Sequence, residues 1–242
     1  MTNPVLKAIF VPLYLLIFIS LTIVLAVVCI VVSFFSARAG RYITDTLWGW
    51  AALGPGGVRV KVFGRENLPQ TPGGFIIYAN HSSTADIPTV ALATGIQVSW
   101  VAKAQLAQIP FFGWALARVH MLVDRGGGAD SARKMVEDAE KRLADGQTLA
   151  IFPEGTRNRG DDLVLPFKKG TFILAKHTGA LIVPIAIKNA RNLWPVGRLW
   201  PYPGTIRVKI GPPLTPIPNE KLTPLTARAQ DALLALLADE SW

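Results

Sequence analysis

His81 and Asp86 stand five residues apart in the run Ala79-Asn80-His81-Ser82-Ser83-Thr84-Ala85-Asp86, directly after a short apolar segment. An imidazole titrates near neutral pH, and a carboxylate can fix its tautomer and stabilise the imidazolium. The pair is therefore equipped to take a proton from a hydroxyl. Along a regular helix five residues turn through about 140°, which would separate the two side chains. A turn from a strand into a helix would let them meet, and Asn80 and Pro88 are suited to such a turn. The plainer reading is a solvated histidine beside a helix-capping aspartate.

A second cluster, Phe152-Pro153-Glu154-Gly155-Thr156-Arg157, also follows an apolar run. Gly155 would let the backbone approach a ligand, Arg157 can grip a phosphate with two N–H groups, and Glu154 can accept hydrogen bonds from a polyol. The alternative is a tight turn stitched by a surface Glu–Arg pair, worth little. Arg159, Lys168 and Lys169 add positive charge nearby. A third group is Lys103, with Leu106, Pro110 and Gly113, followed by Asp124-Arg125. Ligands of open α/β sheets bind outside the carboxyl ends of strands, and each of these groups stands just past a predicted strand. His120 and His177 read as structural. Ser82 and Ser83 lack the glycine-flanked elbow of a nucleophile, and the spacing of the three histidines argues against a metal.

The elements that must hold these residues alternate. Segments 58–63, 75–78, 98–102, 120–123, 148–152, 181–187 and 205–210 read as strands, being short, apolar or alternating, and bounded by Gly, Pro or Asn. Segments 88–94, 110–118, 129–144, 170–178 and 224–238 read as helices. Alternation of this kind predicts an α/β domain around a mixed, largely parallel sheet. Pro55-Gly56-Gly57 divides the chain into an N-terminal segment, 1–57, and a body, 58–242. The proline-rich stretch 194–218 reads as an irregular excursion around one strand, and its Trp194, Trp200 and Tyr202 could meet a membrane or cover the core.

From Ala8 to Ala37 the chain carries no charge. As a helix it would reach about 45 Å, against a hydrocarbon core of about 30 Å. It can form one tilted span, or a re-entrant pair with 42–53, where Trp48 and Trp50 suit a membrane interface. The apolar run is too long for the core of a signal peptide, despite the small-x-small pattern Ala37-Arg38-Ala39. Lys7 precedes it, and Arg38, Arg41, Arg59, Lys61 and Arg65 follow, so the positive-inside bias predicts a body on the cytoplasmic face of the inner membrane. The formal charge of +9 calls for an anionic partner, but without a basic block or a nucleic-acid motif it argues for phosphorylated substrate or anionic lipid. The single cysteine, Cys29, excludes an intramolecular disulfide.

Between Val58 and Ile210 the chain resembles the bacterial type of 1-acyl-sn-glycerol-3-phosphate (lysophosphatidic acid) acyltransferases. Four blocks carry the resemblance: Asn80-His81 with Asp86; Lys103-x-x-Leu106 with Pro110, Gly113 and Val123-Asp124-Arg125; the run Phe152–Arg157; and Val183-Pro184-Ile185. Asn158 and Ser82 depart from the residues common in the family, serine and glutamine. The resemblance implies a glycerol-phosphate acyltransferase-like fold, with His81 as general base and Asp86 as its partner. It places Glu154, Gly155, Thr156, Arg157 and Arg125 at the acceptor site and Lys103 near the reacting groups. It also implies direct transfer from acyl-CoA or acyl-ACP to the sn-2 hydroxyl of lysophosphatidic acid, with no bound cofactor or metal. An acyltransferase of the same superfamily acting on another acceptor, such as a lyso-ornithine lipid or another lysophospholipid, is the nearest alternative, and a non-catalytic lipid-binding protein is a more distant one.

Overall fold

The computed structural model describes residues 4–70, 74–124 and 128–242. The chain opens with α1 (Pro4–Ser33), α2 (Ala37–Tyr42), a π-helical turn (Ile43–Leu47) and α3 (Trp48–Leu53). The body then alternates through β1 (Val58–Phe63), β2 (Ile76–Ala79), α4 (Asp86–Thr94), β3 (Val98–Lys103), a short turn (Ala104–Gln108), α5 (Phe112–Val119), β4 (Met121–Val123), α6 (Gly128–Ala144) and β5 (Thr148–Ile151). It closes with α7 (Gly170–Thr178), β6 (Ile182–Lys188), α8 (Ala190–Leu193), β7 (Gly204–Ile210) and α9 (Leu222–Ala238).

The strands form one sheet in the order β1-β7-β6-β2-β5-β3-β4. Every neighbouring pair is parallel except β6 and β7. This is the mixed, largely parallel sheet that strand–helix alternation predicts. β2 is apolar and buried at every position because helices cover both faces of the sheet. Leu225, Ala229, Leu233 and Leu237 recur every fourth residue on α9 and bury one stripe against the sheet. α4 stops at Gly95, whose φ of +68° lets its N–H return to the Ala91 carbonyl.

The order of the strands decides where the chemistry can lie. β2 pairs with β5, β5 with β3 and β3 with β4, all in parallel, so their carboxyl ends form one row. The segments after β2, β5 and β3 begin at Asn80, Phe152 and Ala104, and this row collects them.

The N-terminal helices are fastened to the body. Within the N-terminal segment, the Tyr14 hydroxyl donates to the Ala52 carbonyl (3.0 Å) and Trp48 Nε1 donates to Thr22 Oγ1 (3.2 Å), which ties α1 to α3. Tyr14 and Phe18 set their rings edge-on to Trp194, which is 3% exposed and so covers the core. Tyr14, Ala52 and Leu53 share a buried cluster with Ile77, Val183 and Ile206 of the sheet. Gly40 admits the end of α5 and the far end of α1, since a Cβ there would stand 2.7 Å from Val119 and 3.1 Å from Ser33.

Candidate active site

Asp86 begins α4, one turn after His81 leaves β2. Its Oδ2 accepts from His81 Nδ1 (2.8 Å), Ser82 N (2.7 Å) and Ser83 N (2.7 Å). Nδ1 facing a carboxylate carries the proton, so Nε2 keeps the lone pair. Asp86 is fully buried, and its loop is wound around the carboxylate instead of exposing it as a cap. The imidazole lies face to face with Phe152 at 4.0 Å between centroids and 14° between planes.

Neighbouring elements grip the loop from several directions. The Asn80 side chain donates to the Ile187 carbonyl (3.0 Å) and accepts from the Ile187 N–H (2.8 Å) on β6. His81 N donates to Glu154 Oε1 (2.6 Å), and the His81 carbonyl accepts from Asn158 N (2.7 Å). Ser83 is fully buried, its hydroxyl within reach of the Ala190 (3.0 Å) and Trp194 (2.7 Å) carbonyls.

Glu154 is 2% exposed, and its Oε2 accepts from Leu165 N (2.8 Å). The sequence suggests a polyol acceptor, whereas the structure turns both carboxylate oxygens toward backbone donors that hold two loops together. Burial pushes its pKa from 4.5 up to about 7, against those donors, which pull it down. Asn158 organises the following turn, taking Gly160 N on its oxygen and donating to the Asp162 carbonyl. Gly155 adopts a φ of +69°, and a Cβ there would meet the Lys168 stem at 2.8 Å.

His81, Lys103, Gly155, Thr156 and Arg157 line one open cavity of about 450 Å³. Arg159, one of the basic residues noted beside the second cluster, lines it as well, and so does Trp100, which the sequence did not assign to the site. Arg125 lies outside the described residues; its neighbour Asp124 lines an adjoining hollow with Lys168. A separate apolar cavity borders the first and shares Ile87, Trp100, Ala102 and Leu106 with it. α1 contributes Thr22, Leu25 and Ala26 to its wall, and α5 contributes Phe112 and Ala115. α5 reaches this place because Gly113 lies against the preceding turn, where a Cβ would stand 2.1 Å from the Leu106 carbonyl oxygen. Among the described residues, no three His, Cys, Asp or Glu side chains gather in a way that could hold a metal ion.

An oriented imidazole in a basic, open cavity, with an apolar cavity beside it, is arranged to activate a hydroxyl next to a bound apolar group. Such an arrangement suits group transfer on an α/β scaffold. The chain belongs to the acyltransferase family, whose model matches residues 59–188. It is 36% identical over 165 residues to the 1-acyl-sn-glycerol-3-phosphate acyltransferase of Pseudomonas aeruginosa, covering 67% of this chain and 62% of that one. It is 38% identical over 142 residues to the enzyme of the same name from Saccharomyces cerevisiae, covering 57% of this chain and 45% of the other. The chain thus spans between 45% and 62% of the length of these two curated relatives. The crystal structure of the 1-acyl-sn-glycerophosphate (LPA) acyltransferase PlsC from Thermotoga maritima superposes with a TM-score of 0.74 at 27% identity, covering 95% of this chain and 96% of that one.

Proposed function

We propose that the protein transfers an acyl chain from an acyl thioester to the sn-2 hydroxyl of 1-acyl-glycerol-3-phosphate, giving phosphatidic acid for phospholipid synthesis. One observation carries the reading: Asp86 holds His81 Nδ1–H, leaving the Nε2 lone pair as base in a cavity shared with Lys103 and Arg157. His81 takes the hydroxyl proton while the oxygen attacks the thioester carbonyl. The tetrahedral intermediate then expels the thiolate, which takes the proton back from His81. General-base help of this kind is worth about 10²–10⁴ in rate. Arg157 and Lys103 receive the acceptor phosphate and the charge developing on the thioester oxygen, with Gly155, Thr156 and Arg125 completing the acceptor site. Glu154 serves it by holding the His81 backbone. The donor is acyl-CoA or acyl-ACP, and its chain enters the apolar cavity.

The N-terminal segment, 1–57, is the membrane-binding part, and the body, 58–242, carries the chemistry on the cytoplasmic face of the inner membrane. α1 packs on the body from Tyr14 to Cys29, while Leu6, Ile9, Leu16, Val24 and Val31 stay exposed. A helix fastened along its length favours lying within one leaflet over crossing the bilayer. The test is thioester-dependent acylation by purified protein in mixed micelles, crossing lysophosphatidic acid and other lysolipids with both donors. Lysophosphatidic acid should be the preferred acceptor, and His81→Ala should abolish turnover while remaining folded. Near-normal turnover by that variant would sink the base assignment, and preference for another lysolipid would replace the acceptor.

A further inference from the structure

The π-helical turn 43–47 belongs to the N-terminal helices, yet Asp45 within it is 1% exposed and faces the sheet. Its Oδ2 accepts from Val98 N (2.8 Å), and its Oδ1 accepts from the Trp100 indole Nε1–H (3.0 Å). The preceding residue, Thr44, works on the same tryptophan through His120. Burial pushes His120 down to about 3, so the ring is neutral. Trp100 N donates to its Nδ1 (3.4 Å), which puts the ring proton on Nε2, facing Thr44 Oγ1 at 2.9 Å. Adjacent residues of one π turn thus hold both the indole and the peptide N–H of Trp100. Helical turns of this kind are rare and cluster at functional sites.

Trp100 leads to the base. Its indole stacks on Phe152 at 5.8 Å and 19°, and Phe152 stacks on His81 at 4.0 Å and 14°. Asp86 fixes the imidazole at one nitrogen but not the tilt of the ring about that bond, which the stack limits. Trp100 also lines both the open cavity and the apolar one.

We propose that Asp45 is a positioning residue for acyl transfer: it anchors the Trp100 indole, and through the Trp100–Phe152 stack it sets the plane of the His81 imidazole. The inference rests on the function proposed above. It makes the N-terminal helices part of the catalytic machinery as well as a membrane contact.

The test is steady-state acyl transfer to lysophosphatidic acid by the full chain in mixed micelles. The variants are Asp45→Asn, Trp100→Phe, the double variant and His81→Ala, each with its unfolding midpoint. Misplacing a catalytic group by a fraction of an ångström to 1 Å costs about ten- to a hundredfold. Asp45→Asn should therefore lower kcat about tenfold or more while the KM values for acceptor and donor stay within about twofold. Trp100→Phe keeps a ring in the stack but removes the indole N–H, so the double variant should be no slower than the slower single one. Undiminished kcat in folded Asp45→Asn overturns the proposal, as do multiplicative losses in the double variant or a loss confined to KM. If Asp45→Asn does not fold, Trp100→Phe decides alone, and full kcat in that variant overturns the proposal. An inactive wild type or an active His81→Ala overturns the proposed function, and this inference with it. An active wild type and a dead His81→Ala beside a normal Asp45→Asn overturn this inference alone.

Discussion

At the residue scale, Asp86 and Glu154 are two buried carboxylates with different tasks. Asp86 Oδ2 faces one imidazole N–H and two backbone N–H groups. Asp86→Asn would present an amide there and favour the wrong tautomer, so we expect a loss of about 10³–10⁴ in kcat in the transfer assay. A loss under tenfold would count against the orienting role. Arg157→Ala should raise the KM for a phosphorylated acceptor and leave that for the thioester unchanged; an unaltered acceptor KM removes the arginine from the phosphate site. Glu154 has its native pKa raised from 4.5 to about 7, so between these values the folded protein holds a proton that the unfolded chain has released. Its contribution to stability is full below about 4.5 and is lost as pH rises through about 7. Glu154→Gln cannot ionise, so its unfolding midpoint should gain on the wild type from about pH 5 to about pH 8; parallel curves would refute this. The types and spacing of His81 and Asp86 were legible in the sequence, but their contact was not, because five residues can bring two side chains together or keep them apart. Trp100 left no signal: a tryptophan in an apolar strand reads as core, and only its neighbours make it more.

At the scale of elements, the end of β2 is held by a side chain and not by ladder bonds alone. Asn80 closes a reciprocal pair with Ile187 inside the protein, 4% exposed. Asn80→Ala would strand a buried donor and a buried acceptor, so we expect it to lower unfolding free energy by roughly 2–4 kcal/mol in denaturant titration. A change below about 1 kcal/mol would mean that water replaces the amide at little cost. The strands and the long helices lie within a few residues of where alternation and helical spacing put them. In the re-entrant alternative the segment 42–53 is one helical arm, whereas the chain divides it into a π-helical turn and α3. Hydrophobic spacing cannot reveal that turn, since it depends on Asp45 and Thr44 meeting partners on β3 and at His120, far along the chain.

At the scale of the whole molecule, α1 is both a wall of the apolar cavity and an exposed apolar surface. Leu16 and Val24 are 65% and 57% exposed on it. A charge placed in hydrocarbon costs about 2.5–3.5 kcal/mol, so Leu16→Glu with Val24→Glu should cut co-sedimentation with phospholipid vesicles at least tenfold. Unchanged partition would show that α1 is not what the bilayer holds. The sequence by itself determined the sheet class, the apolar N-terminal helix and the residues able to move a proton or hold a phosphate. These follow from local periodicity and from the chemistry of side chains, both of which are written along the chain. Tertiary structure alone decided that β2, β5 and β3 lie side by side, which brings His81, Arg157 and Lys103 into one cavity. It also decided that α1 is fastened along the body and that Glu154 turns inward. Each of these depends on which distant segments exchange hydrogen bonds and bury surface together, and no spacing within a single segment encodes such a choice.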